Sequence, residues 1–129
     1  MPTVELDWFA VDETGAIGLF ATASEGFITD AVNEYRVMHE TVANSIEYPN
    51  WGTEAIWDDA AVLGLFVYDW SATDAGYLRA ATPTNEVDSQ IQLMVSRITD
   101  LPMYKGAFST TEQIGAPDAF EHVPSWNGK

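Results

Sequence analysis

The sequence predicts an α+β domain: an antiparallel sheet of four to five strands built from two hairpins, with two main helices packed on it. Three observations predict it. Two blocks rich in aromatic and β-branched residues are each interrupted by a glycine-containing turn. After each block, apolar residues recur at spacings of three and four. The chain has 129 residues, 47% of them hydrophobic, which suits one core and a single compact domain over 1–129.

The first hairpin runs from Val4 to Thr22, with Leu6, Trp8, Phe9 and Val11 on one arm and Ile17, Leu19 and Phe20 on the other. Asp12-Glu13-Thr14-Gly15 forms the link, and Gly15 supplies the positive φ that a short loop requires. A helix follows, with its apolar stripe at Ile28, Val32, Tyr35, Met38, Val42 and Ile46. Thr29 or Ser24 can cap it, and Asp30 and Glu34 favour the positive end of its dipole. Pro49 and Gly52 turn the chain into a loop.

From Glu47 to Asp59 the pattern is irregular, and a short helix then ends near Val62. The second hairpin pairs Leu63–Trp70 with Tyr77–Thr82 through a turn at Ser71–Gly76; its first arm is apolar on both faces, as in a central strand. Beyond Pro83, Thr84 or Asn85 can cap the second main helix, with a core face at Val87, Ile91, Met94 or Val95, and Ile98, stopped by Pro102. The tail from Tyr104 to Lys129 spaces Phe108, Ile114, Phe120 and Trp126 among Gly and Pro, which fits one edge strand and an extended wrap over the core. Gly-Leu-Phe occurs at 18–20 and again at 64–66, too short a repeat to establish duplication.

Charge narrows the function classes. With 20 Asp plus Glu against 5 Lys plus Arg, the net charge of −15 repels nucleic-acid phosphates and anionic membrane surfaces. The same field attracts a basic protein and raises its association rate, over a Debye length of about 10 Å at 0.1 M salt. Solubility, or adaptation to a salty cell, is the competing explanation of the acidity. The absence of Cys rules out disulfides, thiolate nucleophiles and Cys-based metal sites. No signal-like leader and no apolar run of ~18 residues appear, so a cytoplasmic location is expected.

Catalytic motifs are equally sparse. His39 and His122 share no zinc-ligand spacing; His39 borders the apolar helical stripe, and His122 belongs to a solvated tail. Gly15-Ala16-Ile17-Gly18 lacks the third glycine and the helix of a phosphate loop. Glu54, Asp58 and Asp59 lack the alternating ligands of a calcium loop, and no serine occupies a nucleophile elbow. Glycosidase-type carboxylate pairs are defined by separation in space, so 20 acids single out none. No catalytic residue, metal site or cofactor is predicted, and an enzyme is not the expected class.

The residues expected to bind a partner are Glu47, Tyr48, Trp51, Glu54, Asp58 and Asp59, where aromatics lie among carboxylates in an irregular segment. Aromatics provide anchor area at interfaces, and flanking acids pair with Arg and Lys. Against this, Trp51 and Trp57 can simply plug the open end of the sheet. A second acidic–aromatic group, Asp69, Trp70, Asp74 and Tyr77, belongs to the second hairpin.

Asp7-Trp8-Phe9-Ala10-Val11-Asp12 with Gly15, followed by Gly18-Leu19-Phe20, resembles the opening of small bacterial proteins that begin on a D-W-x-A-x-D-x-x-G hairpin. Gly64–Trp70 with Gly76-Tyr77-Leu78-Arg79 is similar to their second hairpin, and the likeness covers about half of the chain. Such proteins resemble the immunity proteins of polymorphic toxin systems. The resemblance implies an immunity-like or antitoxin-like domain that neutralises a basic partner, such as a cognate toxin, by tight binding. The alternatives are a small-molecule-binding or enzymatic α+β domain with a pocket between sheet and C-terminal tail, and a DNA mimic with a stripe of carboxylates.

Overall fold

A computed structural model describes residues 6–123 and Trp126. The elements run β1 (Asp7–Asp12), β2 (Ile17–Ala21), α1 (Asp30–Glu34), α2 (Arg36–Ser45), α3 (Ile56–Val62), β3 (Phe66–Ser71), β4 (Gly76–Ala81), α4 (Ser89–Ser96), β5 (Leu101–Tyr104), β6 (Gln113–Ile114) and β7 (Phe120–Val123). Short 3-10 turns at Phe108–Thr110 and Pro117–Ala119 shape the tail.

The strands form one seven-stranded sheet in the order β6-β4-β3-β2-β1-β5-β7, curled into a half-barrel with three main helices. This corrects the expected antiparallel sheet of four to five strands with two helices. Both hairpins exist, β1 with β2 and β3 with β4, but they join through a parallel β2–β3 pairing from Gly18↔Phe66 to Ala21↔Asp69. A second parallel contact sets Val11 and Asp12 of β1 beside Met103 and Tyr104 of β5. Parallel neighbours need long crossovers; α1 to α3 fill the one from β2 to β3. Strand periodicity is local and carries no information about that pairing.

The tail also holds more than one edge strand. Pro102, expected only to stop a helix, lies inside β5 opposite His122 of β7. It precedes the point at which β5 pairs with β1, a place that tolerates the missing N–H. β6 adds to the other sheet edge through Tyr77↔Ile114.

The first long helix is two helices. Thr29 caps α1 by accepting the Val32 N–H on Oγ1 at 3.2 Å, and Tyr35, at φ −107° and ψ 30°, breaks the path before α2. The break has a packing reason. Val32 buries among aromatics on one face of the sheet, whereas Val42 and Ile46 bury on the other.

At α4 the cap is Asp88, which accepts the N–H groups of Gln90 and Ile91 at 2.9 and 3.1 Å. Asn85, expected there, instead donates its side-chain amide to the Val62 carbonyl at the end of α3. Gly64, at φ +86°, lies against the backbone of Val87; a Cβ there would fall 2.2 Å from the Val87 Cα.

The sheet is covered on both faces. One core gathers Phe9, Leu19, Val67 and Leu101 under α2, α3 and α4. The other is aromatic: Trp8 stacks on Phe20 at 4.4 Å and Phe20 on Tyr68 at 5.0 Å, with Phe108 and Phe120 of the tail closing over them. Within it, the Tyr77 hydroxyl accepts the Trp8 indole N–H at 3.1 Å and donates to the Phe27 carbonyl at 2.6 Å.

Candidate functional site: an acidic–aromatic cleft

The register of three neighbouring strands places Asp7 of β1, Ala21 of β2 and Asp69 of β3 side by side in one row. Directly paired residues share a face, and this row lies on the helical side, one step beyond Phe9, Leu19 and Val67. Both aspartates are half-buried and Ala21 is buried between them.

The loop 47–55 and α3 form the wall above this row. Asp59 clasps the loop: Asn50 donates its backbone N–H and its side-chain amide to the two carboxylate oxygens, each at 2.7 Å. Tight turns continue through Trp51 N–H to Tyr48 O at 3.0 Å and Thr53 N–H to Asn50 O at 3.1 Å. Gly52 carries φ +82° with open space around it. The irregular composition of this segment thus encodes a hydrogen-bonded loop.

That loop holds Trp51 at 76% exposure. Trp51, Ile56 and Trp57 face Asp7, Ala21 and Asp69 across an open cleft of about 460 Å³. The cleft is further bounded by Ala23, which with Ser24 adopts a left-handed backbone, φ 48° and 68°. Such conformations cost energy in non-glycine residues. Here the amides of Glu25 and Gly26 hold the turn by donating to the Thr22 carbonyl at 3.0 and 2.7 Å.

The six expected partner-binding residues are divided by the fold. Trp51 lines the cleft. Tyr48 packs against the helical core; burial raises the pKa of its hydroxyl, and the charges of Asp7 and Asp59 raise it further. Asp59 is the loop clasp. Glu54 and Asp58 are exposed, Asp58 in the first turn of α3, where a carboxylate favours the helix dipole. Glu47 borders a different groove, beside Asp88, Ile91 and Met94.

The second acidic–aromatic group is also divided. Asp69 enters the cleft, Tyr77 is buried in the aromatic core, and Asp74 accepts the Ser71 hydroxyl at 2.7 Å within the hairpin turn. Asp7 was not among the expected residues, and Asp69 was expected only as part of the second group. Their signal was the alternation of the strands, which puts both on the face of Phe9 and Val67, but only the parallel register brings them together.

Elsewhere, His39 is fully buried and His122 exposed. Among the described residues no group of three or more His, Cys, Asp or Glu could hold a metal ion, and no helix is long and apolar enough to cross a membrane. Comparison of the chain with protein-family models, curated proteins and solved structures found no match.

Proposed function

We propose that this chain is an acidic protein-binding domain of the immunity or antitoxin type, acting in the cytoplasm, that captures a basic partner through the cleft around Trp51. The observation that carries this reading is an indole 76% exposed on a hydrogen-bonded loop, facing two carboxylates across a concave surface. An ordered, exposed Trp offers anchor area at small entropic cost, and anchors of this type dominate binding energy at interfaces. The net charge of −15 supports fast capture of a cationic surface.

The test is co-expression and co-purification with the product of the adjacent gene. A stable complex that Trp51→Ala weakens supports the reading; failure to form a complex even at low salt overturns it. A small cationic ligand is the second reading, favoured by the cleft volume of about 460 Å³, which is of ligand-pocket size. No described residue of the C-terminal tail lines this cleft, so that reading moves to another place on the fold. A metabolite screen by thermal shift checks it.

A further inference from the structure

We propose that the notch over Ala21 is a receptor for a single arginine side chain of the partner; this rests on the protein-binding reading and assigns the chemistry of its central contact. The notch follows from the sheet. Asp7 and Asp69 are two strands apart, so their Cα atoms are separated by roughly 10 Å, twice the ordinary strand spacing. In the row between them the sheet contributes Ala21, whose side chain is a single methyl group. A large residue at position 21 would fill this space; alanine leaves a recess with a carboxylate on either side.

The walls match the same group. Trp51 and Trp57 border the recess, and indoles are the best aromatic surfaces for a cation. A guanidinium is planar, carries five donors arranged as a fork, and sheds water more readily than an ammonium. It can therefore lie against an indole while donating to carboxylates on both sides. A lysine ammonium is a compact, strongly hydrated point charge and satisfies fewer of these features together. The field beside the recess is negative: burial raises the pKa of the Tyr48 hydroxyl, and the charges of Asp7 and Asp59 raise it further.

Selection by shape and selection by charge can be separated. One blocked peptide, Gly-Ser-Xaa-Ser-Gly, is made with arginine, lysine or citrulline at the central position and titrated into the full chain while tryptophan fluorescence and NMR amide shifts are followed. The arginine peptide is expected to bind about tenfold more tightly than the lysine peptide, and the citrulline peptide to give no saturable change. Ala21→Leu, which fills the recess and leaves every charge in place, and Trp51→Ala, at an exposed position, should each weaken arginine binding by about tenfold. Glu121→Gln, which removes one negative charge at an exposed position of β7, should leave it unchanged.

Equal affinity for arginine and lysine, unaffected by Ala21→Leu and Trp51→Ala, would overturn the arginine receptor yet leave the capture of a basic partner standing. Absence of saturable arginine binding to the folded chain also overturns the receptor. Complex formation with the adjacent-gene product judges the wider reading separately. Should Ala21→Leu fail to fold, Trp51→Ala decides the matter alone.

Discussion

The imidazole Nδ1 of His39 accepts the backbone N–H of Phe9 at 3.1 Å. β5 pairs with β1 only from Val11 onward, so a side chain from α2 takes the place of a strand at the earlier part of that edge. The bond also sets the tautomer, because an accepting Nδ1 leaves the proton on Nε2. That second nitrogen is buried without a hydrogen-bond partner among the described residues.

Acid should therefore weaken the fold through His39. Burial lowers its pKa from 6.5 to about 4, so between these values the unfolded chain binds a proton that the folded chain refuses. Stability from this group is complete above pH 6.5 and is lost as pH falls towards 4, by about 3 kcal/mol at most. Urea midpoints between pH 7 and pH 4 should fall less steeply for His39→Asn, whose side chain can still accept the Phe9 amide. His39→Leu leaves that amide unsatisfied and should cost about 1–3 kcal/mol at pH 7.

Asp12 ties the first hairpin to the tail. One carboxylate oxygen accepts from Thr14 N–H, Thr14 hydroxyl and Ala16 N–H at 2.9, 2.7 and 3.0 Å; the other accepts the Phe108 N–H at 2.8 Å. Asp12→Ala strands the buried Phe108 amide and removes the acceptor of the part-buried Thr14 and Ala16 donors, and should destabilise by about 3 kcal/mol. Hydrogen exchange at Phe108 should accelerate with it.

Tyr77→Phe removes only the hydroxyl that joins the Trp8 indole N–H to the Phe27 carbonyl. A loss of about 1–3 kcal/mol in denaturant unfolding is expected, because the buried Trp8 indole N–H and the part-buried Phe27 carbonyl lose their partner while the apolar packing is kept.

The two cleft tryptophans should separate binding from stability. Trp51→Ala, at an exposed site, should leave the thermal midpoint nearly unchanged and reduce partner affinity. Trp57 packs against the helical core, so Trp57→Ala should lower both. Calorimetry of unfolding alongside a binding titration checks the contrast.

Adjacent carboxylates on α3 should differ as well. Reversal at exposed Asp58 is expected to slow association with a basic partner, an effect that fades with salt, and to spare the fold. Reversal at Asp59 breaks the clasp on Asn50 and should also release the loop carrying Trp51, visible as faster amide exchange at Asn50 and Trp51. Stopped-flow kinetics over a salt series tests the first expectation.

Much of the local structure is legible in the residues. Thr29 caps a helix and Gly15 turns the first hairpin at φ +88°, because caps and turns depend on neighbours in the chain. The aromatic–acidic segment was also visible, and Trp51 belongs to the cleft. What escaped was the division of labour within it: Asp59 and Tyr48 look like Trp51 in composition, yet one is a clasp and the other a core residue. Sequence shows that a carboxylate is present, not which donor it meets.

The sequence by itself determined the charge of −15, the absence of thiol chemistry and the presence of two hairpins, since these depend on residue counts or on contacts a few positions apart. The tertiary structure decided the parallel join of β2 to β3, the exchange of a strand partner for His39, and the meeting of Asp7 with Asp69 across Ala21. Each of these joins segments at least 30 positions apart. Such contacts are selected by the burial of both sheet faces at once, a property of the whole chain that no local pattern contains.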